Sequence, residues 1–138
     1  MGQVRDIMRK DVITIEKDQT VHQAAQLMKE NDISFLVIVE NGDPVGVLTE
    51  RDFVQKFCTD DKKSVEMKIS EIMSYKFRSV EPTTEIEGAI QKMLNNNIRR
   101  LLVLDNKKLV GVITQTDLAS HLRDKLLVDG TVKNIQKK

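Results

Sequence analysis

The chain repeats itself once, and this internal repeat limits its folds more than any other feature. Residues 44–52 and 109–117 share the pattern Val-Gly-Val-apolar-Thr-x-x-Asp, with equivalent positions 65 residues apart. No gap is needed to align the first copy from about residue 5 to residue 54. Two copies of this length are too few and too long for a solenoid. Since a unit near 60 residues is marginally stable alone, we expect the two copies to share one core in a compact pseudo-twofold domain.

The composition of the 138 residues argues against several classes of function. A net charge of +1 and the absence of Trp give no support to a nucleic-acid partner. No run approaches the ~20 apolar residues of a membrane span, and the N-terminus lacks the apolar stretch of a signal peptide. We therefore expect a cytoplasmic protein without a membrane partner. Cys58 is the only cysteine, which excludes an intrachain disulfide, fits a reducing compartment and indicates a small apolar filler.

Both copies predict the same order of elements, which is strand, helix, strand, turn, strand, helix. Apolar and β-branched runs predict strands at residues 12–15, 35–39, 45–49, 77–80, 101–104 and 110–114. Apolar residues at helical spacing predict helices over 21–31, from 52 onward, over 86–94 and over 117–127. Two helices begin with the spacing of a capping box, Thr20 with Gln23 and Thr84 with Glu87. The copies occupy residues 1–58 and 69–128, with a polar linker at 59–68 and a polar tail at 129–138.

Each copy ends in Gly-apolar-apolar-Thr-x-x-Asp, and with this ending in both copies the chain resembles a tandem pair of CBS (cystathionine-β-synthase-type) domains, a Bateman module. The resemblance covers the chain from Val4 to Leu127. It implies an α+β fold in which two β-α-β-β-α repeats pack as a pseudo-twofold α/β sandwich, with a cleft where the ends of equivalent strands meet. Val37 and Leu102 stand where the family has a proline, which changes the backbone of the cleft wall.

The threonine and aspartate of each motif suit a nucleotide ligand. Thr114 closes a strand and Asp117 opens a helix, where unpaired N–H groups and the helix dipole favour an anion. A carboxylate only accepts hydrogen bonds, so it suits the vicinal hydroxyls of a ribose. Arg99 and Arg100 offer the planar donor fork that matches phosphate. Since the first copy has residues 33–36, Ile-Ser-Phe-Leu, at the same place and no basic side chain there, we expect the two sites to be unequal.

The resemblance implies that each adenosine site combines residues of both repeats. The stronger site is expected to use Val12 and Ile13 beside the base, with Ile33, Ser34, Arg100, Thr114, Thr116 and Asp117. The second site is expected to use Thr49 and Asp52, with Phe77 and Arg78 near the base and Arg99 at the phosphate. Phe35 replaces an arginine at the second site, so weaker binding of charged nucleotides is expected there.

The favoured function is a regulatory module rather than an enzyme. The sequence contains no set of nucleophile, base and orienting residue, no Walker loop and no metal-ligand spacing. The module is expected to bind an adenosine-type ligand, namely AMP, ADP, ATP, S-adenosylmethionine or NAD, and to signal its occupancy to an unidentified partner protein. Binding would act by shifting the population of two arrangements. No cofactor is obligatory, and Mg²⁺ is expected only with ATP.

Simpler interpretations of the same residues stay open. Asp52 and Asp117 are also typical helix caps, and their threonines could simply end strands. Arg99 and Arg100 could form a solvated strand end or pair with Asp105. His22 and His121 lack metal-ligand spacing and are expected to be exposed or half-buried. The alternative function is a dimerisation or scaffold protein without a ligand, whose homodimer would use the leucines of 117–127 or the Phe53 and Phe57 pair.

Overall fold

A computed structural model describes residues 2–128, so the polar tail predicted for 129–138 lies outside the described residues. The strands are β1 (Thr14–Glu16), β2 (Phe35–Glu40), β3 (Asp43–Thr49), β4 (Ser79–Val80), β5 (Arg100–Asp105) and β6 (Lys108–Thr114). The α-helices are α1 (Val21–Asn31), α2 (Glu50–Asp52), α3 (Ile86–Asn96) and α4 (Gln115–Val128). Short 3-10 helices lie at Val4–Asp6 and Ile69–Glu71, and a π-helix at Phe53–Phe57 continues α2.

Two three-stranded sheets, ordered β1-β2-β3 and β4-β5-β6, confirm the predicted α+β fold. In each sheet the first strand pairs in parallel with the central one, β1 with β2 and β4 with β5. β2 and β3 are antiparallel neighbours. The first strands are shorter than predicted, because pairing with the central strand begins at Thr14 and at Ser79. Residues 12, 13, 77 and 78 therefore precede the strands that were expected to contain them.

The described residues divide into two compact units, and each unit takes its leading segment from the other copy of the repeat. The second-repeat unit contains residues 2–10, 78–106 and 110–128, and the first-repeat unit contains residues 11–77 and 107–109. Residues 67–74 are the repeat equivalents of residues 2–9. By chain order, residues 2–9 would belong to the first-repeat unit and residues 67–74 to the second-repeat unit, but in the structure each belongs to the other unit. The two exchanged segments occupy equivalent places in their units.

The exchanged segments close the N-termini of the central helices. The N–H of Val21 in α1 donates to the carbonyl of Met67 at 2.8 Å, and the equivalent N–H of Ile86 in α3 donates to the carbonyl of Gly2 at 3.0 Å. At α1 the predicted capping box is confirmed, because the Thr20 side chain accepts the N–H of Gln23.

At α3 the predicted capping box is wrong, since Glu85 is the N-cap and it forms no side-chain cap. The backbone of Thr84 is engaged instead, as its carbonyl accepts the N–H of Val4 at 2.8 Å and its N–H donates to Glu81. The N-cap position of α3, which is Thr20 in the first repeat, is thus occupied by Glu85, and the spacing of Thr84 and Glu87 lies one residue out of register with the helix start.

Each unit has its own apolar core, so the expectation of a single core shared by the two copies is wrong, although each core takes residues from both copies. In the first-repeat unit the fully buried members include Val21, Leu36, Ile38, Leu48, Ile69 and Ile72. In the second-repeat unit they include Val4, Ile86, Leu101, Val103 and Ile113. Both sets include apolar residues of the exchanged segments, Ile69 and Ile72 in one and Val4 in the other. Burying side chains of this size stabilises by about 1.5–3 kcal/mol each, so apolar burial fixes the segments to their units.

A buried glycine lets each exchanged segment lie directly against a strand. A Cβ on Gly111 of β6 would lie 2.6 Å from Met8 Sδ and 2.9 Å from the Arg9 carbonyl oxygen. A Cβ on the equivalent Gly46 of β3 would overlap with Met73 Cε and the Ser74 carbonyl oxygen. The glycine of the repeated motif is therefore needed for close backbone approach, not for an unusual dihedral angle.

Candidate functional site at the two Thr-x-x-Asp motifs

The Thr-x-x-Asp motif of the first repeat forms a reciprocal capping box where β3 meets α2. The N–H of Thr49 donates to Asp52 Oδ2 at 2.9 Å, and the N–H of Asp52 donates to Thr49 Oγ1 at 3.4 Å. The Thr49 hydroxyl also donates to Asp52 Oδ2 at 3.2 Å. Asp52 is buried, with 9% exposure, so one of its carboxylate oxygens is committed to holding the start of the helix.

The motif of the second repeat is built in the same way where β6 meets α4. The N–H of Thr114 donates to Asp117 Oδ2 at 3.0 Å, and the N–H of Asp117 donates to Thr114 Oγ1 at 3.2 Å. Each aspartate therefore helps to cap a helix, although the residue at the cap position is the threonine and the aspartate lies three residues after it. The two threonines do more than end strands, because their hydroxyls accept the N–H groups of the aspartates.

The second carboxylate oxygen of Asp52 faces a lysine. Lys56 lies one turn further along the same segment, and its Nζ is 3.2 Å from Asp52 Oδ1. The same ammonium donates to the Ile72 carbonyl at 3.1 Å, so it bridges the motif and the exchanged segment. Lys56 lies in the π-helix, whose end residues Phe53 and Phe57 both pack against the core of the unit. A buried carboxylate with a charged partner avoids the desolvation cost of an unpaired charge.

The second carboxylate oxygen of Asp117 faces an arginine from the exchanged segment. Arg9 Nε donates to Asp117 Oδ1 at 3.1 Å, with 64% of the Arg9 side chain and 13% of the Asp117 side chain exposed. The backbone of Arg9 is fixed on β6, because it donates to the Val112 carbonyl at 2.8 Å and accepts the N–H of Val112 at 3.0 Å. The arginine is thus anchored at its backbone while its side chain lies largely in solvent.

Sequence reasoning missed both of these cations. Lys56 could have been found, since a lysine four residues after an aspartate at a helix start is within reach of it. Arg9 carried no local signal, because it is 108 residues from Asp117. The repeat equivalent of Arg9 is Ser74, and the repeat equivalent of Lys56 is His121. Alignment of the two copies therefore gives no indication that either cation pairs with an aspartate. His121 Nε2 is buried and has no hydrogen-bond partner within the described part of the chain.

The remaining polar residues predicted for the sites lie near the helix starts or on the surface. The N–H of Gln115 donates to the Arg99 carbonyl at 2.8 Å, and the N–H of Glu50 donates to the Ser34 carbonyl at 3.0 Å. Each unit therefore brings the residue before its central strand to the start of the motif helix. The Arg99 side chain is exposed and Arg100 is half-buried at the start of β5. Thr116 is exposed and borders a surface depression of about 380 Å³, lined also by Gln115, Ala119, Ser120 and Arg123.

The two units divide the residues of each predicted composite site. Val12, Ile13, Ile33 and Ser34 belong to the first-repeat unit, whereas Arg100, Thr114, Thr116 and Asp117 belong to the second-repeat unit. Thr49, Asp52 and Phe77 belong to the first-repeat unit, whereas Arg78 and Arg99 belong to the other. Ile13 and Ile33 pack against the core of their own unit. The grouping of these residues into two ligand sites stays a prediction.

Several other sequence interpretations can be compared with the described residues. Cys58 is exposed, so its interpretation as an apolar filler is wrong. His22 is exposed and His121 is half-buried, as expected. Within residues 2–128 no three His, Cys, Asp or Glu side chains are grouped so that they could hold a metal ion. None of the helices in that range has the length and apolar character that a membrane span requires.

Comparison with known proteins matches this chain to the CBS domain twice, at residues 4–58 and 69–124. The CBS domain-containing protein YhcV of Bacillus subtilis is 36% identical over 119 residues, which cover 86% of this chain and 84% of YhcV. The CBS domain pair of protein MJ0100, in complex with 5′-methylthioadenosine and S-adenosyl-L-methionine, has a TM-score of 0.80 and 26% identity, covering 91% of this chain and 98% of that one. The hexameric CBS-CP12 protein from bloom-forming cyanobacteria has a TM-score of 0.75 and 32% identity, covering 85% and 66%.

Proposed function

Because the chain belongs to the CBS-domain family and carries two of its domains in tandem, we propose that it is a regulatory module that binds adenosine-type ligands. Its ligands would be AMP, ADP, ATP, S-adenosylmethionine or NAD, with Mg²⁺ only beside ATP. Binding would signal to a partner protein by shifting the equilibrium between two conformations of the module. The size of this shift cannot exceed the difference in the ligand's binding free energy for the two conformations. The proposed ligand contacts are those predicted from the sequence, with Asp52 and Asp117 as the ribose acceptors.

One observation carries this proposal. In both units the capping box uses Oδ2 of the motif aspartate, which leaves Oδ1 at the start of a helix as an acceptor of further hydrogen bonds. Two vicinal ribose hydroxyls need such an acceptor. Support comes from MJ0100, whose CBS pair is in complex with two ligands that both contain adenosine.

The proposal is tested by a thermal-shift screen followed by calorimetric titration. The panel is AMP, ADP, ATP, S-adenosylmethionine and NAD, with GMP as a control for the base, each with and without Mg²⁺. A ligand at 100 times its dissociation constant stabilises by about 2.7 kcal/mol. For a chain of this length that corresponds to roughly 5–15 °C. We expect a shift with at least one adenine ligand and a much smaller one with GMP. A flat response to the whole panel would refute the proposal.

A scaffold function is the second candidate, and the exposed leucines favour it. Leu94 of α3 is 71% exposed, and Leu122 and Leu126 of α4 are 38% and 41% exposed. The positions equivalent to Leu94 and Leu126 in the first repeat are Lys29 and Asp61, so these two exposed leucines have no apolar counterpart there, whereas Leu122 corresponds to Phe57. The proposed assembly is a homodimer through the second-repeat unit. Light scattering on wild type and Leu126→Glu tests it, since a charge at that face should give a monomer if the helices pair.

A further inference from the structure

Both motif aspartates direct their second oxygen at a cation, but the two cations are not repeat equivalents. Asp52 Oδ1 pairs with Lys56, which lies on the same helical segment. Asp117 Oδ1 pairs with Arg9, which arrives from the exchanged segment. Each copy has thus obtained a countercharge for the same oxygen from a different position. In both copies, therefore, the carboxylate oxygen that the capping box leaves available is paired with a cation.

The oxygen held by Arg9 is the one that a ribose would need. Asp117 Oδ2 accepts the N–H of Thr114 at 3.0 Å, and losing this bond would uncap α4. Oδ1 is therefore the acceptor that can be given to a ligand without loss of the helix start. A guanidinium already bound to Oδ1 competes with the ribose hydroxyl groups, because both donate hydrogen bonds to that atom. The guanidinium also neutralises part of the negative charge that attracts the hydroxyl protons.

We propose that Arg9 gates the ligand site at Asp117, so that the ribose hydroxyls displace its guanidinium from Oδ1 on binding. This inference rests on the proposed binding of adenosine-type ligands. Arg9 holds Asp117 through Nε alone among the contacts of the described residues, and 64% of its side chain is exposed. A change of side-chain rotamer can therefore release the carboxylate. The two backbone hydrogen bonds between Arg9 and Val112 stay in place during that change.

The test measures adenosine affinity, because an uncharged ligand separates competition for Asp117 from attraction of a phosphate. Arg9→Met keeps the aliphatic stem and removes both the charge and the donors. Arg5→Met is the matched control, since Arg5 is exposed on the same segment and its loss removes an equal charge elsewhere. Thermal melts without ligand verify that both variants fold. We expect Arg9→Met to bind adenosine about two- to fivefold more tightly, the range set by a largely exposed ion pair. Arg5→Met should bind like wild type.

Two further measurements distinguish an Arg9 that competes with the ligand from an Arg9 that only stabilises the fold. Raising NaCl from about 0.05 M to about 0.5 M weakens exposed ion pairs. Adenosine should therefore bind wild type more tightly at the higher salt concentration, whereas its affinity for Arg9→Met should be the same at both concentrations. In a ¹⁵N spectrum the Arg9 Nε–H signal should lose its protection from exchange when adenosine is added. If adenosine binds wild type but Arg9→Met is no tighter, the gate is refuted and the module stands. If adenosine and the nucleotide panel bind neither protein, the proposed function fails and the gate fails with it.

Discussion

Replacing Gly111 by alanine should push the exchanged segment that carries Arg9 away from β6 and destabilise the protein. The new Cβ would lie 2.6 Å from Met8 Sδ and 2.9 Å from the Arg9 carbonyl oxygen, and both distances are shorter than van der Waals contact. The methionine can move, but the carbonyl accepts the N–H of Val112 at 3.0 Å and is fixed. Overpacking of this kind costs about 1–3 kcal/mol, and a broken hydrogen bond adds about 1 kcal/mol. We expect Gly111→Ala to lose about 2–4 kcal/mol in free energy of unfolding, a fall in melting temperature of roughly 6–20 °C.

The matched control is Gly88→Ala in the exposed part of α3. There a Cβ meets only Thr84 Cγ2, at 3.4 Å, which is ordinary contact. Alanine in a helix interior is favoured over glycine by about 0.5–1 kcal/mol, so this variant should melt above wild type. The double variant Met8→Ala with Gly111→Ala tests which contact matters. It should recover only part of the loss, because the Arg9 carbonyl remains. Urea unfolding that shows Gly111→Ala as stable as wild type would contradict the close approach of segment and strand.

Four further variants test the site and the segments that support it. Asp117→Asn should weaken nucleotide binding about tenfold or more, since hydrogen bonds to a charged group contribute about 1.5–3 kcal/mol, and titration calorimetry measures this. Asp117→Ala should lose the same affinity and also stability, because Asp117 Oδ2 accepts the N–H of Thr114. Thr20→Ala should cost about 1 kcal/mol of stability in urea unfolding, through loss of the α1 cap. The hydrogen bond between Lys62 and Glu71 lowers the pKa of Glu71 and raises the pKa of Lys62. The stability that this pair contributes is therefore lost when Glu71 is protonated at low pH, and also when Lys62 is deprotonated at high pH. Melting curves of Glu71→Gln should therefore differ slightly from wild type near neutral pH in low salt, and coincide with it in acid or in high salt.

Local patterns in the sequence were enough to predict most of the fold. The strands and helices follow apolar periodicity, and the capping box at Thr20 needs only residues three apart. α2 and α4 were predicted to start at Asp52 and Asp117, and both begin two residues earlier, because the threonine of each motif directly precedes the helix. The failure at Thr84 has a different origin. Glu85 stands at the repeat position of Thr20 and is the N-cap of α3, so the capping-box spacing of Thr84 and Glu87 is one residue out of register with the helix.

The candidate site was predictable only where its contacts are local. Both aspartates and threonines were found, because the motif that contains them recurs at the same place in each copy. The exchange of segments between the units could not be read from the sequence, because residues 2–9 and 67–74 are equivalents and either assignment satisfies the repeat. Without that exchange, nothing places Arg9 beside Asp117. Arg9, the cation that most affects the proposed site, therefore could not be identified by aligning the two copies.

The two countercharges also give a reason why the sites should be unequal. The Lys56 ammonium lies between two acceptors, 3.2 Å from Asp52 Oδ1 and 3.1 Å from the Ile72 carbonyl, so releasing it breaks both contacts. Arg9 gives up a single contact, and its guanidinium already lies largely in solvent. Displacement by a ribose should cost less at Asp117, and we expect that site to fill first. This agrees with the order expected from Arg99 and Arg100, although the reason is independent of phosphate. A complex in which ligand occupies only the Asp52 site would contradict both arguments.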